Sequence, residues 1–265
     1  AMFEGVFVAI VTPFKNGNID EEALRRLIDY QIAGGVDGIV PCGTTGESAT
    51  LNHEEHNQVI RIAVDACKGK VTVLAGTGSN STHEAIELSQ SAKKAGADGL
   101  LQITPYYNKP NQEGLYQHFS SIAGNADLPI ILYNVPSRTS VNMDPETVVR
   151  LAKIQNIVGI KDSSNDIGKL MQHVVEAEGQ MAVLQGNETL YLPALSVGAV
   201  GAIGGGCNVY PEVIGDIHQA FDAGDHHRAL HLQVKVCQLW KLVASGWPRS
   251  GKRALRSFGV QINET

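Results

Sequence analysis

Runs of apolar residues alternate with segments of helical periodicity along the whole chain. Eight runs are almost continuously apolar, which is typical of parallel strands that are buried on both faces of a sheet. These runs cover residues 5–12, 36–43, 71–77, 97–104, 130–135, 156–161, 181–186 and 199–203. Their starts lie about 28 residues apart on average, which is the size of one strand-helix unit. Eight such units predict an α/β fold of the (β/α)8 TIM barrel type.

The segments between these runs carry helix start signals. Asp20 stands before a stretch whose apolar residues repeat at helical spacing, so it predicts a helix N-cap. Asn52 with Glu55, and Ser81 with Glu84, have the spacing of a capping box, in which two side chains satisfy free amides at a helix start. These signals support the alternation of strand and helix that a barrel requires.

The chain continues beyond the eighth run without a further strand signal. Residues 211–223 predict the last barrel helix, 225–245 predict an additional helix, and 249–258 predict a shorter one. We therefore expect a barrel domain at residues 1–224 and a helical C-terminal segment at residues 225–265.

Composition and charge exclude several classes of protein. The 265 residues include 21 Lys plus Arg and 27 Asp plus Glu, with a formal charge of −6 and a pI of about 5.8, so a nucleic-acid partner is not expected. No apolar run approaches the roughly 18 residues that cross a bilayer, and the N-terminus lacks the basic start of a secretory signal. The four cysteines form no C-x-x-C pair, which favours free thiols. We expect a cytoplasmic globular protein without a membrane partner.

Lys161 closes the sixth apolar run, at a strand end where a barrel places its catalytic groups. An ammonium group that faces an apolar barrel mouth is costly, and burial lowers the pKa of such a lysine. The neutral amine is a nucleophile toward ketones. Position alone leaves a second interpretation open, in which Lys161 is solvated at the start of a loop or paired with Asp162.

Three further polar clusters follow other predicted strands. Residues 42–48, Cys-Gly-Thr-Thr-Gly-Glu-Ser, offer glycines, hydroxyls and amides that could hold a small carboxylate, although a simple strand-helix turn has the same composition. Residues 105–108, Pro-Tyr-Tyr-Asn, and 133–138, Tyr-Asn-Val-Pro-Ser-Arg, bring tyrosines and an arginine to the same mouth. Phenols can pass protons, and arginine can bind a carboxylate through two parallel hydrogen bonds. Any one of these residues could be an ordinary rim residue, but their joint placement favours an active site.

Four of these signatures together resemble the dihydrodipicolinate synthase family. They are Gly-Thr-Thr-Gly-Glu-Ser at 43–48, Pro-Tyr-Tyr-Asn at 105–108, Tyr-Asn-Val-Pro-Ser-Arg-Thr at 133–139 and Gly-Ile-Lys at 159–161. The resemblance covers about residues 2–225. It implies a lyase that condenses pyruvate with aspartate 4-semialdehyde, at the start of diaminopimelate and lysine biosynthesis. It also implies that no metal or dissociable cofactor takes part.

The resemblance assigns roles to individual residues. Lys161 is expected to form an imine with pyruvate, and Tyr133, Thr44 and Tyr107 match the family's proton relay. Tyr107 is implied to reach into a neighbouring subunit's site, which requires an oligomer, commonly a homotetramer built as a dimer of dimers. Arg138 matches the residue that binds the semialdehyde carboxylate. The residues that match the pyruvate pocket are Thr45, Gly186 and Ile203.

A second set of positions matches the family's feedback site for lysine. These positions are Ser48, Ala49, His53, His56, Asn80, Glu84 and Tyr106. Glu84 could hold the effector's ammonium group, and we expect lysine to inhibit. The alternative is structural: Glu84 would complete a capping box with Ser81, while His53 and His56 would lie in an exposed first helical turn.

Three features differ from the family's usual pattern. Lys161 is followed by Asp-Ser-Ser at 162–164, where synthases more often carry Glu-Ala-Thr, and this form is similar to aldolases of sugar acids. Residues 204–206 are glycines, and a Gly-rich loop after the eighth strand could suit a phosphate. The C-terminal segment is expected to be shortened, because relatives usually continue through further helices.

Other functions therefore stay open. A pyruvate-dependent aldolase of 2-keto-3-deoxy sugar acids or N-acetylneuraminate would use Lys161 and Tyr133 in the same roles. Arg138 argues against it, because such an enzyme must accept a polyhydroxylated chain. A catalytically silent barrel that binds lysine or pyruvate is a second alternative. A phosphate-binding isomerase is a third, and it requires that the loops after strands seven and eight bind a phosphorylated substrate.

Overall fold

A computed structural model of the protein describes residues 3–177, 179–257 and 259–262. The strands within these residues are β1 (Gly5–Ala9), β2 (Phe14–Lys15), β3 (Asn18–Ile19), β4 (Gly38–Val40), β5 (Thr72–Gly76), β6 (Gly99–Ile103), β7 (Ile130–Asn134), β8 (Ile157–Asp162), β9 (Ala182–Gln185) and β10 (Gly201–Gly204). Strands β1 and β4 to β10 are parallel and close a barrel, in which β1 pairs with both β4 and β10. Strands β2 and β3 form a small antiparallel pair. The predicted (β/α)8 barrel is confirmed.

Each predicted apolar run overlaps one barrel strand. Most runs extend beyond their strands, whereas β8 and β10 each end one residue after their runs, at Asp162 and Gly204. The first run was predicted to reach residue 12, whereas β1 ends at Ala9. Ile10, Val11 and Thr12 are nevertheless fully buried. Hydropathy follows burial, and burial continues into the loops at the barrel mouth, so the first strand was predicted to end too late.

Helices cover the outside of the barrel. They are α1 (Glu21–Ala33), α2 (His53–Cys67), α3 (Thr82–Ala95), α4 (Gln112–Asn125), α5 (Pro136–Thr139), α6 (Pro145–Ala152), α7 (Ile167–Glu176), α8 (Tyr191–Ser196), α9 (Pro211–Asp222), α10 (His226–Val243) and α11 (Arg249–Ser257). The Asp20 side chain accepts a hydrogen bond from the Ala23 amide, as an N-cap does. Asn52 and Glu55 form the predicted capping box. Ser81 is the N-cap of α3, so the sequence signals mark all three of these helix starts correctly.

The barrel interior is filled mainly by alternate residues of the strands, together with Phe3 and Val135 just outside them. This inner cluster consists of Phe3, Phe7, Ala9, Val40, Leu74, Leu101, Ile131, Tyr133, Val135, Leu184 and Ile203. A larger apolar cluster lies between the strands and the surrounding helices. Tyr133 on β7 is directly opposite Lys161 on β8, so the register brings a phenol and an amine together at the carboxyl ends of neighbouring strands.

Three helices follow the last barrel strand. They agree closely with the predicted segments, except that Phe258, the last residue of the third, lies outside the described residues. Helix α10 packs against α9 and reaches α8, and α11 contacts α10 and the loop after β10. The division of the chain at residue 224 stays a prediction. Within the described residues, no helix has the length and apolar character needed to cross a bilayer.

Candidate active site

Lys161 lies inside the barrel mouth with only 5% of its surface exposed. Its Nζ atom stands 4.1 Å from the centroid of the Tyr133 ring. The ring face is electron-rich and stabilises a positive charge at this nitrogen. The Asp162 side chain belongs to the other face of β8, where its carboxylate accepts hydrogen bonds from Asn134 at 2.9 Å and Ser164 at 2.7 Å. The alternative of a solvated Lys161, or one paired with Asp162, is therefore wrong.

Thr44 and Tyr133 line a narrow cavity at the same mouth. Its volume is about 20 Å³, which leaves room for about one water-sized group. Thr44 belongs to the loop of residues 43–48, which we call the substrate loop. Thr12 Oγ1 donates to the Gly46 carbonyl at 2.7 Å, and this bond ties the loop to the segment after β1. The sequence-predicted neighbours Thr44, Tyr133 and Lys161 thus come together.

Gly186, at the end of β9, lies against the stem of Lys161. A Cβ atom at this position would lie 2.9 Å from Lys161 Cε and would overlap Ser163 Oγ. Only glycine therefore allows β9 to approach the amine so closely. Ile203 is fully buried in the inner cluster. Thr45 Oγ1 accepts a long hydrogen bond of 3.4 Å from the Trp247 indole.

Arg138 and Tyr107 occupy different surroundings. Arg138 lies in the short helix α5 and, together with Thr44, lines a second cavity of about 430 Å³. Tyr107 projects from the loop after β6, is 90% exposed and has a left-handed backbone with φ of 70°. The Tyr107 side chain is therefore presented outward and not toward the barrel mouth of its own chain.

The second cavity collects most of the positions that the sequence assigned to lysine binding. Six of the seven line it: Ser48, Ala49, His53, His56, Glu84 and Tyr106. Asn80 is not part of this lining, and its carbonyl accepts a hydrogen bond from Asn108 at 3.1 Å. Because Thr44 and Arg138 line the same cavity, the two predicted sites adjoin within this chain.

Glu84 is held as an anion in this cavity. Its carboxylate accepts a hydrogen bond from Ser79 and lies 2.7 Å from His53 Nε2. These two bonds, that of Ser79 first, lower the pKa of Glu84. The expected capping box is only half present: Ser81 accepts from the Glu84 amide at 3.4 Å, but the Glu84 carboxylate does not return to Ser81. A purely structural role in a capping box does not describe this side chain.

His56 is buried, contrary to the alternative that placed it in an exposed turn. Its Nε2 lies 2.9 Å from the Gly76 carbonyl, so the ring donates there. Burial is the main cause that lowers the pKa of His56, and a neutral ring follows. His53, by contrast, keeps 61% of its side chain exposed. The two histidines therefore have different electrostatic environments.

The glycines after β10 surround a carboxylate that sequence reasoning missed. Glu188 is 2% exposed and accepts a hydrogen bond from the Gly206 amide. A Cβ on Gly204 would lie 2.5 Å from Glu188 Oε1. Burial raises the pKa of Glu188, although the Gly206 amide opposes this effect. A phosphate would meet this carboxylate, so the structure argues against the phosphate-binding alternative. Glu188 lies just after β9, which corresponds to the seventh predicted strand. This position at a strand end is the signal that could have revealed Glu188.

Comparison with known proteins assigns the chain to a family. The sequence model of the Dihydrodipicolinate synthetase family matches residues 2–265. The chain belongs to this family. The resemblance drawn from the four signatures is confirmed, and so is the prediction of a lyase.

Individual relatives agree with this assignment. The chain is 53% identical to the 4-hydroxy-tetrahydrodipicolinate synthase of Syntrophus aciditrophicus strain SB, over 90% of this chain and 82% of that protein. It is 42% identical, with a TM-score of 0.95, to the solved synthase of Methylacidiphilum fumariolicum SolV, over 98% of this chain and 87% of that one. The chloride-inhibited synthase of Acinetobacter baumannii, solved with pyruvate, is also 42% identical, with a TM-score of 0.94 over 98% and 90% of the two chains.

Proposed function

We propose that this protein condenses pyruvate with L-aspartate 4-semialdehyde to give 4-hydroxy-tetrahydrodipicolinate, in the diaminopimelate route to lysine. The observation that carries the proposal is the buried Lys161 amine above the Tyr133 ring, with Thr44 and Tyr133 lining one narrow cavity. Curated relatives at about 50% identity bear the name of this activity. The arrangement suits a reaction in which a nitrogen becomes cationic in an apolar barrel mouth.

The chemistry begins at the Lys161 nitrogen. The neutral amine attacks the ketone carbon of pyruvate, and loss of water leaves an imine whose protonated nitrogen withdraws electrons. A methyl proton then leaves, and the resulting enamine carbon attacks the aldehyde of the second substrate. The amine of that substrate finally displaces Lys161 and closes the ring. Because the imine itself is the electron sink, the sequence of steps uses no metal or dissociable cofactor.

Tyr133 and Thr44 handle protons in this sequence. Formation and breakdown of the first adduct require proton transfer to and from the departing oxygen. The Tyr133 and Thr44 side chains line the same water-sized cavity, so their hydroxyls are suited to pass a proton along one short path. The Tyr133 ring also lies under the nitrogen that carries the charge of the iminium, and it stabilises that charge.

The exposed Tyr107 supports an oligomeric enzyme. A phenol that is 90% exposed on a left-handed turn is available to a neighbouring subunit. We assign it to the proton relay of the partner's site, in a homotetramer built as a dimer of dimers. Aromatic side chains with a polar tip are common at such interfaces.

The second cavity is proposed to bind lysine as a feedback inhibitor. The anionic Glu84 carboxylate suits an ammonium group, and Tyr106 and the neutral His56 offer further polar contacts. Thr44 and Arg138 line the same cavity, so an occupant would lie next to groups assigned to catalysis. This adjacency provides a short physical route from effector to relay.

The alternative activity is a pyruvate-dependent aldolase of 2-keto-3-deoxy sugar acids or N-acetylneuraminate. One observation favours it: the Ser163 hydroxyl is buried beside Lys161 and has no hydrogen-bond partner within the described residues. An unpaired hydroxyl at this position could meet a hydroxyl of a sugar-acid chain. Arg138 opposes this alternative, since a guanidinium suits the carboxylate of a short substrate.

The free cysteines support a cytoplasmic location. Cys42, Cys67, Cys207 and Cys237 are all unbridged, and the first three are buried. Thiols are kept in this state in a reducing compartment.

Borohydride reduction in the presence of pyruvate, followed by mass spectrometry, tests the proposed chemistry. We expect a reduced pyruvyl adduct on Lys161, no adduct in Lys161→Ala, and a normal adduct in Lys153→Ala, whose side chain is exposed on the barrel surface. A coupled assay then compares aspartate 4-semialdehyde with 2-keto-3-deoxygluconate and N-acetylneuraminate. Cleavage of a sugar acid, with no turnover of the semialdehyde, would establish the aldolase instead. A folded protein without any adduct would indicate a silent binder.

A further inference from the structure

The substrate loop adopts a backbone conformation that needs support from elsewhere. Cys42, just before the loop, has φ of 55°, and Glu47, within it, has φ of 61°. Side chains other than glycine rarely occupy this left-handed region, so such residues persist where surrounding contacts hold them. Thr44 and Thr45 lie between these two positions. The contacts that hold Glu47 and Thr45 therefore determine how both threonines are presented.

Lys252, from the C-terminal helix α11, reaches into the loop. Its side chain is 1% exposed, and its Nζ lies 2.6 Å from Glu47 Oε1. The same nitrogen stands 4.9 Å from the centroid of the Phe14 ring. The Lys252 ammonium is buried, while 31% of the Glu47 side chain stays exposed. A buried ammonium is costly without an opposite charge, so loss of the Glu47 charge should disturb this contact. The pair fixes the Glu47 side chain to a helix that begins about 200 residues later in the chain.

Trp247 makes a second connection to the same loop. Its Nε1 donates to Thr45 Oγ1 at 3.4 Å. A Cβ on Gly205 would lie 3.0 Å from Thr45 Oγ1 and 3.1 Å from Trp247 Cζ2, so three separate segments converge at this point. The Trp240 ring packs 5.3 Å from the Trp247 ring and supports it from α10.

We infer that Lys252 and Trp247 are positioning residues, which hold Glu47 and Thr45 so that the substrate loop presents Thr44 and Thr45 to pyruvate. The C-terminal segment thus helps to position the residues that bind pyruvate. This inference rests on the proposed function, because it assigns pyruvate to the substrate loop. Neither residue takes part in the chemistry; both act through the loop.

The test measures the pyruvate concentration that gives half-maximal borohydride trapping on Lys161. We expect Lys252→Met, which keeps the apolar stem and removes the charge, to raise it by about tenfold or more, since small displacements of binding groups have large effects. Glu47→Gln should give a similar increase, and the double variant should be no worse than either single one, because both changes break the same pair. Trp247→Phe keeps a ring but removes the N–H. It should raise the half-saturating pyruvate concentration by a smaller factor, because the hydrogen bond from Trp247 to Thr45 is long.

A control variant distinguishes an effect on the position of the substrate loop from a general loss of protein stability. Val243→Ala removes buried atoms from α10 without touching the loop, so it should lower the melting temperature and leave half-saturation by pyruvate unchanged. Unchanged half-saturation in folded Lys252→Met and Glu47→Gln would overturn the inference. If Lys252→Met does not fold, unchanged half-saturation in both Glu47→Gln and Trp247→Phe overturns it. Absence of any adduct in the wild-type protein would refute the proposed function and this inference together, whereas a wild-type adduct with unaffected variants refutes this inference alone.

Discussion

Replacement of Gly186 by alanine tests whether the close approach of β9 to Lys161 matters for catalysis. The added Cβ would lie 2.9 Å from Lys161 Cε and would overlap Ser163 Oγ. Carbon atoms in contact normally stand about 3.5 to 4.0 Å apart, so the lysine stem has to retreat by about 1 Å. The change adds one methyl group and alters the chemical structure of no proposed catalytic side chain.

The expected loss follows from that displacement. A misplacement of about 1 Å at a reacting group can lower the rate on the order of 100-fold, which corresponds to about 2.7 kcal/mol of activation free energy. The loss should appear in the rate of imine formation with pyruvate alone, because the Lys161 nitrogen acts in that step. Overall turnover should fall by a similar factor.

Single-turnover trapping with borohydride measures the imine step directly. Gly215→Ala is the matched control, because a Cβ at Gly215 in α9 has no neighbour within 4 Å. It should keep the wild-type trapping rate, while Gly186→Ala should lose it without unfolding, as judged by circular dichroism. Wild-type trapping and turnover in Gly186→Ala would refute the argument that this glycine sets the position of the amine.

Three further predictions concern other groups. Arg138→Ala should raise the KM for the semialdehyde by tenfold or more and leave trapping with pyruvate intact; an unchanged semialdehyde response contradicts the assigned role. Glu84→Gln should raise the lysine concentration that gives half-maximal inhibition and should leave turnover without lysine unchanged. If lysine inhibits this variant as strongly as it inhibits the wild-type protein, the role of Glu84 is structural. Burial lowers the pKa of His118 from 6.5 to about 4, so the unfolded chain takes up a proton that the folded protein does not. The contribution of His118 to the free energy of unfolding should therefore fall by about 3 kcal/mol between pH 6.5 and pH 4. Urea unfolding of His118→Gln should lack that part of the pH dependence, whereas His231→Gln, on the exposed face of α10, should keep it.

The barrel could be predicted because its pattern is local and repeated. Runs of buried residues and helix N-caps such as Asp20 and Asn52 report on neighbours a few positions away. The same locality explains the errors at strand ends. Ile10 to Thr12 remain buried after pairing stops, and hydropathy does not distinguish a buried loop from a buried strand.

The candidate site was predictable in part for a topological reason. In a parallel barrel every strand ends at the same mouth, so Lys161, Tyr133 and Thr44 could be brought together from their positions alone. The hydrogen-bond partners of individual side chains were harder to predict from the sequence. The sequence left two roles open for Glu84, lysine binding or a capping box with Ser81. Its carboxylate lies against Ser79 and His53 and not against the Ser81 amide, so the helix pattern alone did not reveal its partners.

The sequence by itself determined the barrel, the family and the amine that is proposed to form the imine, since each depends on residues near one another in the chain or on the common direction of parallel strands. Tertiary structure alone decided that Glu188 fills the glycine loop after β10 and that Lys252 and Trp247 reach the substrate loop. The indole of Trp247 and the hydroxyl of Thr45 are 202 positions apart, and no local periodicity encodes such a pairing. It depends on how the segment between α10 and α11 packs over the closed barrel, which is a property of the whole fold.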